Sequence, residues 1–325
     1  MNEFSYIIIL LTRSFKHIMF TTIKSMLHLM QTFPTEDSCI KYMELMLWEG
    51  KAPVSPFDST SVVYKCNGYN YKCKNTGKYF NVKTGTMYEN TKLPLQKWFL
   101  VVWLITCHKK GISSTQLGRD IGVTQKTAWF LLQRIRACLG VENYNELSGI
   151  VEADESFYGG KNKNRHRNKK VKNSQGRSCK DKTPILGLVQ RDGKLTAVVT
   201  KDTSPKSLQP VIKKFVKPET IFVSDDWKGY KGLGNEYLHF TVKHSDKGYK
   251  NDYSADVHTN NIEGAWKIMK NSLRDMYNSV TKKHLQLYVD EFVYLYNMRK
   301  DTDSQRFTHL LKNSKVRTKY QALVA

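Results

Sequence analysis

The chain has 325 residues, room for about two domains at roughly 150 residues each. With 40% hydrophobic and 12% aromatic residues it is not a chain disordered by composition. Lys and Arg number 52 against 29 Asp and Glu, a formal net charge of +23. That excess points to a polyanionic partner, nucleic acid first, because Lys and Arg displace the counterions condensed on phosphates. The charge runs through the whole chain instead of sitting in one tail, which favours nucleic acid over an anionic membrane surface. Six scattered cysteines (39, 66, 73, 107, 138 and 179) exclude a small disulfide scaffold and suit a reducing cytosol.

The first 32 residues read as an N-terminal extension, with Met19 or Met26 as the expected start of translation. Its apolar run Tyr6–Leu11 is far too short to span a bilayer, which takes about 20 apolar residues. No basic stretch precedes it, so no signal peptide and no membrane association are expected. Residues 33–92 are rich in turn formers such as Pro53, Pro56, Gly68, Gly77 and Gly85. Short aromatic runs at 62–65, 69–72 and 79–82 predict a small β module of hairpins there.

Residues 93–140 change character. Leu95, Trp98, Phe99, Val102 and Trp103 recur at helical spacing. A second helix is predicted over 113–121, broken by Gly122, and a third from the N-cap Thr124 to about Cys138. A helix, a short glycine turn and a polar, basic helix is the pattern of a helix-turn-helix. The same spacing also suits an ordinary three-helix bundle. On the DNA-binding reading, Lys126, Arg134 and Arg136 of the third helix face the duplex.

Residues 149–300 read as a second domain, and 301–325 as a C-terminal tail. A strand over 150–158 ends at Gly159-Gly160. Then comes a basic insertion, Lys161–Lys182, with ten Lys or Arg and one acid. Lys161, Lys163, Arg165 and Arg167 are its expected phosphate contacts, although such a run also suits a solvated loop. Strands follow at 183–189 and 195–200, joined by Asp192-Gly193. A helix is expected over 207–215, strands over 221–223 and 237–242, and helices over 261–277 and 281–297.

Three acids stand out by context. Asp154 lies inside an apolar strand, Asp225 where a short apolar strand ends, and Glu263 near the start of a helix bearing Ile262, Trp266 and Met269. Acids in such places are costly unless paired or bound to metal. Each also has an ordinary reading. Asp154 could share a solvent face with Glu152 and Ser156, Asp225 and Asp226 could be turn residues, and Glu263 could be a first-turn acid favoured by the helix dipole. Phosphoryl transfer gives a reason for all three to converge. Two divalent ions about 3.5–4 Å apart activate the attacking oxygen and stabilise the leaving one, and hard cations need oxygen ligands. Glu263 and Lys270, two helical turns apart, share a face, so an acid that binds metal and a Lys that grips phosphate could point at one substrate, although a plain surface salt-bridge face has the same spacing.

At these residues the chain resembles the ISXO-like insertion-sequence transposases, a DDE family related to the eukaryotic Merlin elements. The matching stretches are VEADESFYGGK (151–161), KTPILGLVQRDGK (182–194), VSDDWKGY (223–230), HTNNIEGAWKIMK (258–270) and KHLQLYVDEFVYLYNMR (283–299). Upstream, residues 80–98 and 111–136 look like the family's N-terminal region, so the likeness runs from about Phe33 to Arg299.

The resemblance implies an α+β or α/β chain: a retroviral-integrase-like, RNase H-like core with a five-stranded mixed sheet, preceded by a zinc-ribbon-like β module and a helix-turn-helix. It implies Asp154, Asp225 and Glu263 as catalytic metal ligands for two Mg²⁺ or Mn²⁺ ions. Asn260 is the rival third ligand, since the family is described with either Glu or Asn there, and carboxylate oxygen binds Mg²⁺ better than an amide does. Asn260, His258 and Lys270 are otherwise supporting residues. The expected function is binding of terminal inverted repeats, metal-dependent cleavage and strand transfer into target DNA, by a homodimer or larger assembly in the bacterial cytoplasm at the nucleoid. The alternatives are an RNase H-like nuclease that does not join ends, or a catalytically decayed DNA-binding protein. One departure from the family concerns zinc. Where its first Cys pair is expected the chain reads APVSPFDSTS (52–61), and the second retains only Cys73, with Thr76 in the partner's place. A structural zinc wants four N or S ligands, so a ribbon that has lost its metal is expected.

Overall fold

The computed structural model describes residues 22–160, 162–172, 174, 178–242 and 257–324. They fall into two compact units: the described residues up to Cys138 together with those from Lys300 onward, and Leu139–Arg299.

The first unit begins with helices α1 (Met26–Thr32) and α2 (Glu36–Trp48). Helix α2 lies where the sequence reading put only hairpins. Its start is a reciprocal cap: the Thr35 hydroxyl accepts from the Ser38 amide and the Ser38 hydroxyl accepts from the Thr35 amide, each at 3.2 Å. Cys39, Tyr42, Met43 and Met46 then line one buried face at helical spacing. The expected hairpins follow as β1 (Val63–Lys65), β2 (Tyr71–Cys73) and β3 (Tyr79–Phe80), an antiparallel three-stranded sheet.

Helices α3 (Leu95–Cys107), α4 (Ser114–Ile121) and α5 (Gln125–Leu139) match the predicted trio. The Ser113 hydroxyl caps α4 by accepting from the Gln116 amide at 3.2 Å. Gly122 ends it at φ +63°, a left-handed turn that costs glycine little. Part of the stretch read as a C-terminal tail folds with this unit. Helix α9 (Asp303–Lys312) buries Phe307, Leu310 and Leu311 in this unit, and the Phe307 ring lies 5.6 Å from that of Phe99 and 5.9 Å from that of Trp103. A five-residue helix, α10 (Tyr320–Val324), closes the described chain.

The second unit is a five-stranded sheet with helices on both faces. Its strands are β4 (Ile150–Tyr158), β5 (Thr183–Gln190), β6 (Leu195–Val199), β7 (Ile221–Asp225) and β8 (Leu238–Val242), in the order β6-β5-β4-β7-β8. Strands β5 and β6 join β4 as an antiparallel meander, while β7 pairs parallel to β4 and β8 parallel to β7. Side chains alternate across the pleat. Val151, Ala153, Leu186, Leu188 and Phe222 pack on one face with Leu208, Ile212 and Phe215 of α6 (Pro205–Phe215). Ile185 and Val189 pack on the other face with Ile262, Trp266 and Met269 of α7 (Asn260–Tyr277) and Val289, Phe292 and Val293 of α8 (Leu285–Asn297).

The fit of α7 to the sheet depends on Gly187. A Cβ there would meet the Trp266 ring at 2.4 Å and Ile262 Cδ1 at 2.8 Å, so only glycine lets the helix lie this close. Gly187 is the residue of β5 directly opposite Asp154.

Candidate metal centre

Strand β4 carries Asp154 at the centre of the sheet. Its register with β7 pairs Ile150 with Ile221, Val151 with Phe222 and Glu152 with Val223. Two more steps along both strands set Asp154 beside Asp225, and with a period of two both side chains leave the sheet on the α7 face. Asp225 is the last residue of β7, not a turn residue, and the Trp227 amide donates to its Oδ1 at 3.1 Å. The face shared by Glu152, Asp154 and Ser156 is not a solvent face: Glu152 and Ser156 are buried on it.

Asp154, Asp225 and Glu155 each offer a carboxylate oxygen, and these oxygens lie within 4.8 Å of one another. Asp154 is half-buried, and Glu155 and Asp225 are buried. Nearby, burial holds the Tyr230 phenol well above its ordinary pKa, followed by the negative charge of Glu155 and then of Asp154 and Asp225. Carboxylates this close repel one another, and a cation shared among them offsets that repulsion. An all-oxygen, anionic donor set is what a hard divalent ion takes, so these residues fit such an ion.

Glu155 was not anticipated from the sequence. The available signal was its position, directly after Asp154 in a strand that also carries Glu152. Glu263 stands outside this close group. It is exposed in the first turn of α7, where the Thr259 hydroxyl donates to its Oε1 at 3.1 Å. Asn260 is the exposed first residue of the same helix, and Lys270 is exposed two turns further on. His258 is half-buried, with Nδ1 3.3 Å from Glu152 Oε1.

The expected DNA contacts divide. Lys126 is exposed, its ammonium 5.6 Å from the Tyr320 ring centroid. Lys163 and Arg167 are exposed, while Arg165 is half-buried and donates to the Asp181 carbonyl at 3.3 Å. Lys161 lies outside the described residues. Arg134 and Arg136 do not match the expectation of facing a duplex, being only 4% and 1% exposed. Arg134 shares a helical face with Leu131, Ile135 and Cys138, all buried. Its guanidinium donates to the Glu89 carbonyl at 2.6 Å and lies 5.3 Å from the Phe130 ring and 5.6 Å from the Trp98 ring.

In the hairpin module Cys73 is buried at the end of β2. Burial alone would raise its thiol. Hydrogen bonds from the side chains of Ser55, Ser61 and Thr76 and from the Thr76 amide outweigh that and bring it down to about 6. One thiol among three hydroxyls is not a donor set that zinc takes. The region that would hold the missing cysteines instead supplies hydroxyls to the remaining one.

Residues 146–297 match the model of the ISXO2-like transposase domain. A protein in transposable element ISH50 of Halobacterium salinarum is 27% identical over 231 residues, covering 68% of this chain and 76% of that protein. A transposase-like protein of Haemophilus influenzae is 30% identical over 107 residues, 32% of this chain and 81% of that protein. Among solved structures, a pre-cleavage Mos1 transpososome matches at 12% identity and a TM-score of 0.19, covering 93% of this chain and 95% of that one. A Mos1 strand transfer complex matches at 15% identity and a TM-score of 0.18, covering 71% and 81%. Scores this low carry no information about shared topology.

Proposed function

This chain belongs to the ISXO2-like transposase family, and from that premise we propose that it cuts and rejoins DNA at a metal site held by Asp154, Asp225 and Glu263. The supporting observation is the parallel register of β4 and β7, which sets two carboxylates from separate strands side by side under one helix. The sheet order, with an antiparallel meander on one side and two parallel strands on the other, suits an RNase H-like core. On this reading Glu263 is the third ligand. Glu155 adds a further carboxylate to the pair already close together.

Divalent cations bound there, Mg²⁺ or Mn²⁺, would activate the attacking oxygen and stabilise the leaving one. The protein's own contribution is orientation. Asp154 is on the central strand and Asp225 at the end of the strand paired beside it, so both carboxylates are carried on hydrogen-bonded backbone and their oxygens need little reorganisation. Lys270 on α7 and the exposed Lys163 and Arg167 supply positive charge for the phosphate backbone. Water attacks first and frees a 3′-hydroxyl at the element's end, and that hydroxyl then attacks target DNA at the same site. Helices α4 and α5 form a helix-turn-helix that reads the terminal inverted repeats, with Lys126 among its contacts, and two ends are held by a dimer or larger assembly. No helix among the described residues is long and apolar enough to cross a membrane.

The test is incubation with DNA carrying the flanks of the protein's own gene, with Mg²⁺ or Mn²⁺. Nicks at the repeat ends and joining of the freed 3′ ends to a second duplex are expected. Nicks without joining would mark a nuclease, and DNA binding with neither reaction a decayed element. Cleavage that survives Asp154→Asn would sink the site.

A further inference from the structure

Glu152 is buried at 0% exposure in the middle of β4, and it does not belong to the close group of Asp154, Glu155 and Asp225. A carboxylate so placed is tolerated only if fully paired and hydrogen-bonded, and its partners are informative. Oε2 accepts from the backbone amides of Asn261 at 2.9 Å and Ile262 at 3.1 Å. Oε1 accepts from the Asn261 side-chain amide at 2.8 Å and from Arg191 Nε at 2.8 Å. Arg191 also donates through Nη2 to the His258 carbonyl at 3.1 Å. Two of these donors are first-turn amides of α7, which have no partner inside the helix and lie where its dipole favours a negative charge. The other contacts hold the segment leading into that turn.

The strand residue that grips the helix is two places before Asp154 and points to the same face. The helix residue it grips, Ile262, immediately precedes Glu263. We propose that Glu152 is a positioning residue: it binds the first turn of α7 to β4 and so sets where the helix-borne acid stands relative to Asp154 and Asp225. This rests on the metal-site reading above. An ordinary helix cap predicts a loss of stability and nothing more.

The two are separated in the full-length protein with four variants: Glu152→Gln, Asn261→Ala, Met269→Ala and Asp154→Asn. Met269 is a buried core residue of the same helix, so its truncation lowers stability without touching the clamp. Amide hydrogen exchange is followed in metal-free protein, and Mn²⁺ binding by calorimetry without DNA. In Glu152→Gln, exchange at residues 261 and 262 should speed up and Mn²⁺ should bind about 10-fold to 100-fold more weakly, the range seen when supporting partners of metal ligands are removed. Asn261→Ala, at an exposed position less prone to misfolding, should weaken Mn²⁺ binding in the same direction by about fivefold, one hydrogen bond's worth. Met269→Ala should melt earlier yet bind Mn²⁺ within about twofold of wild type, because it leaves the ligands and their supports in place. The positioning role is overturned if Glu152→Gln loosens the amides but binds Mn²⁺ as wild type does, or if Met269→Ala weakens Mn²⁺ as much. If Asp154→Asn binds Mn²⁺ like wild type, the metal site itself is wrong and the inference falls with it.

Discussion

Buried acids in the second unit are stabilised in three different ways, and each gives a separate test. Asp290 on α8 is pushed up to about 6, first by burial, against hydrogen bonds from Gln286 and Asn143 that pull the other way. Its folded pKa is above its unfolded one, so the folded state holds the proton over a wider range. Stability is therefore highest below about pH 4 for this group and falls as pH rises toward 6. A rise of about two units corresponds to about 3 kcal/mol. Asp290→Asn should raise the unfolding free energy by up to that amount at pH 7.5, with the gain vanishing below pH 4, as read from urea melts at both pH values. Glu152 accepts hydrogen bonds from the Arg191 guanidinium and from the backbone amides of Asn261 and Ile262.

The crowded group predicts the opposite signature to a core defect. Asp154→Asn or Asp225→Asn removes one of three mutually repelling carboxylates. The metal-free protein should melt at the same temperature or slightly higher, while cleavage falls on the order of 10³-fold. A variant that loses activity only because it unfolds would show that the acid was structural.

At the scale of elements, helix α7 is located by contacts at two points on the sheet: the Glu152 clamp at its first turn and the Gly187 contact beside Ile262 and Trp266. Gly187→Ala forces a methyl into a space already filled by an indole. It should cost about 1–3 kcal/mol, read from denaturant midpoints, and should lift the helix from the strand that bears the aspartates. Helix α2 teaches a different lesson. Its start at Thr35 and its apolar residues at helical spacing were legible, but the turn formers that follow drew the whole stretch into one β module. Arg134 is a similar case, since its spacing from Leu131, Ile135 and Cys138 marked the inner face, and charge alone suggested the outer one.

At the scale of the molecule, the net charge of +23 should make DNA binding steeply salt-dependent. If six to ten phosphates are contacted, affinity should drop about 10³-fold to 10⁵-fold between 50 and 200 mM salt. Replacing Lys163 and Arg167 together should flatten the slope by about two counterions, whereas Arg134→Ala should destabilise the first unit and leave the slope unchanged. Truncation after Arg299 removes Phe307, Leu310 and Leu311 from the first unit's core. It should lower that unit's thermal midpoint, as read by calorimetry.

The five strands and the helices between them were readable because periodicity, turn residues and caps act within a dozen residues along the chain. Asp154 and Asp225 stood out as candidates too, since an acid within or at the end of an apolar strand is conspicuous without any coordinates. The pairing of β4 with β7, the clamp of Glu152 on α7, the arrival of Glu155 in the acidic group and the return of α9 to the first unit were decided in three dimensions. Each joins residues tens to hundreds of positions apart, and the free energy that selects such a contact comes from burial and hydrogen bonding, which exist only once the chain has folded.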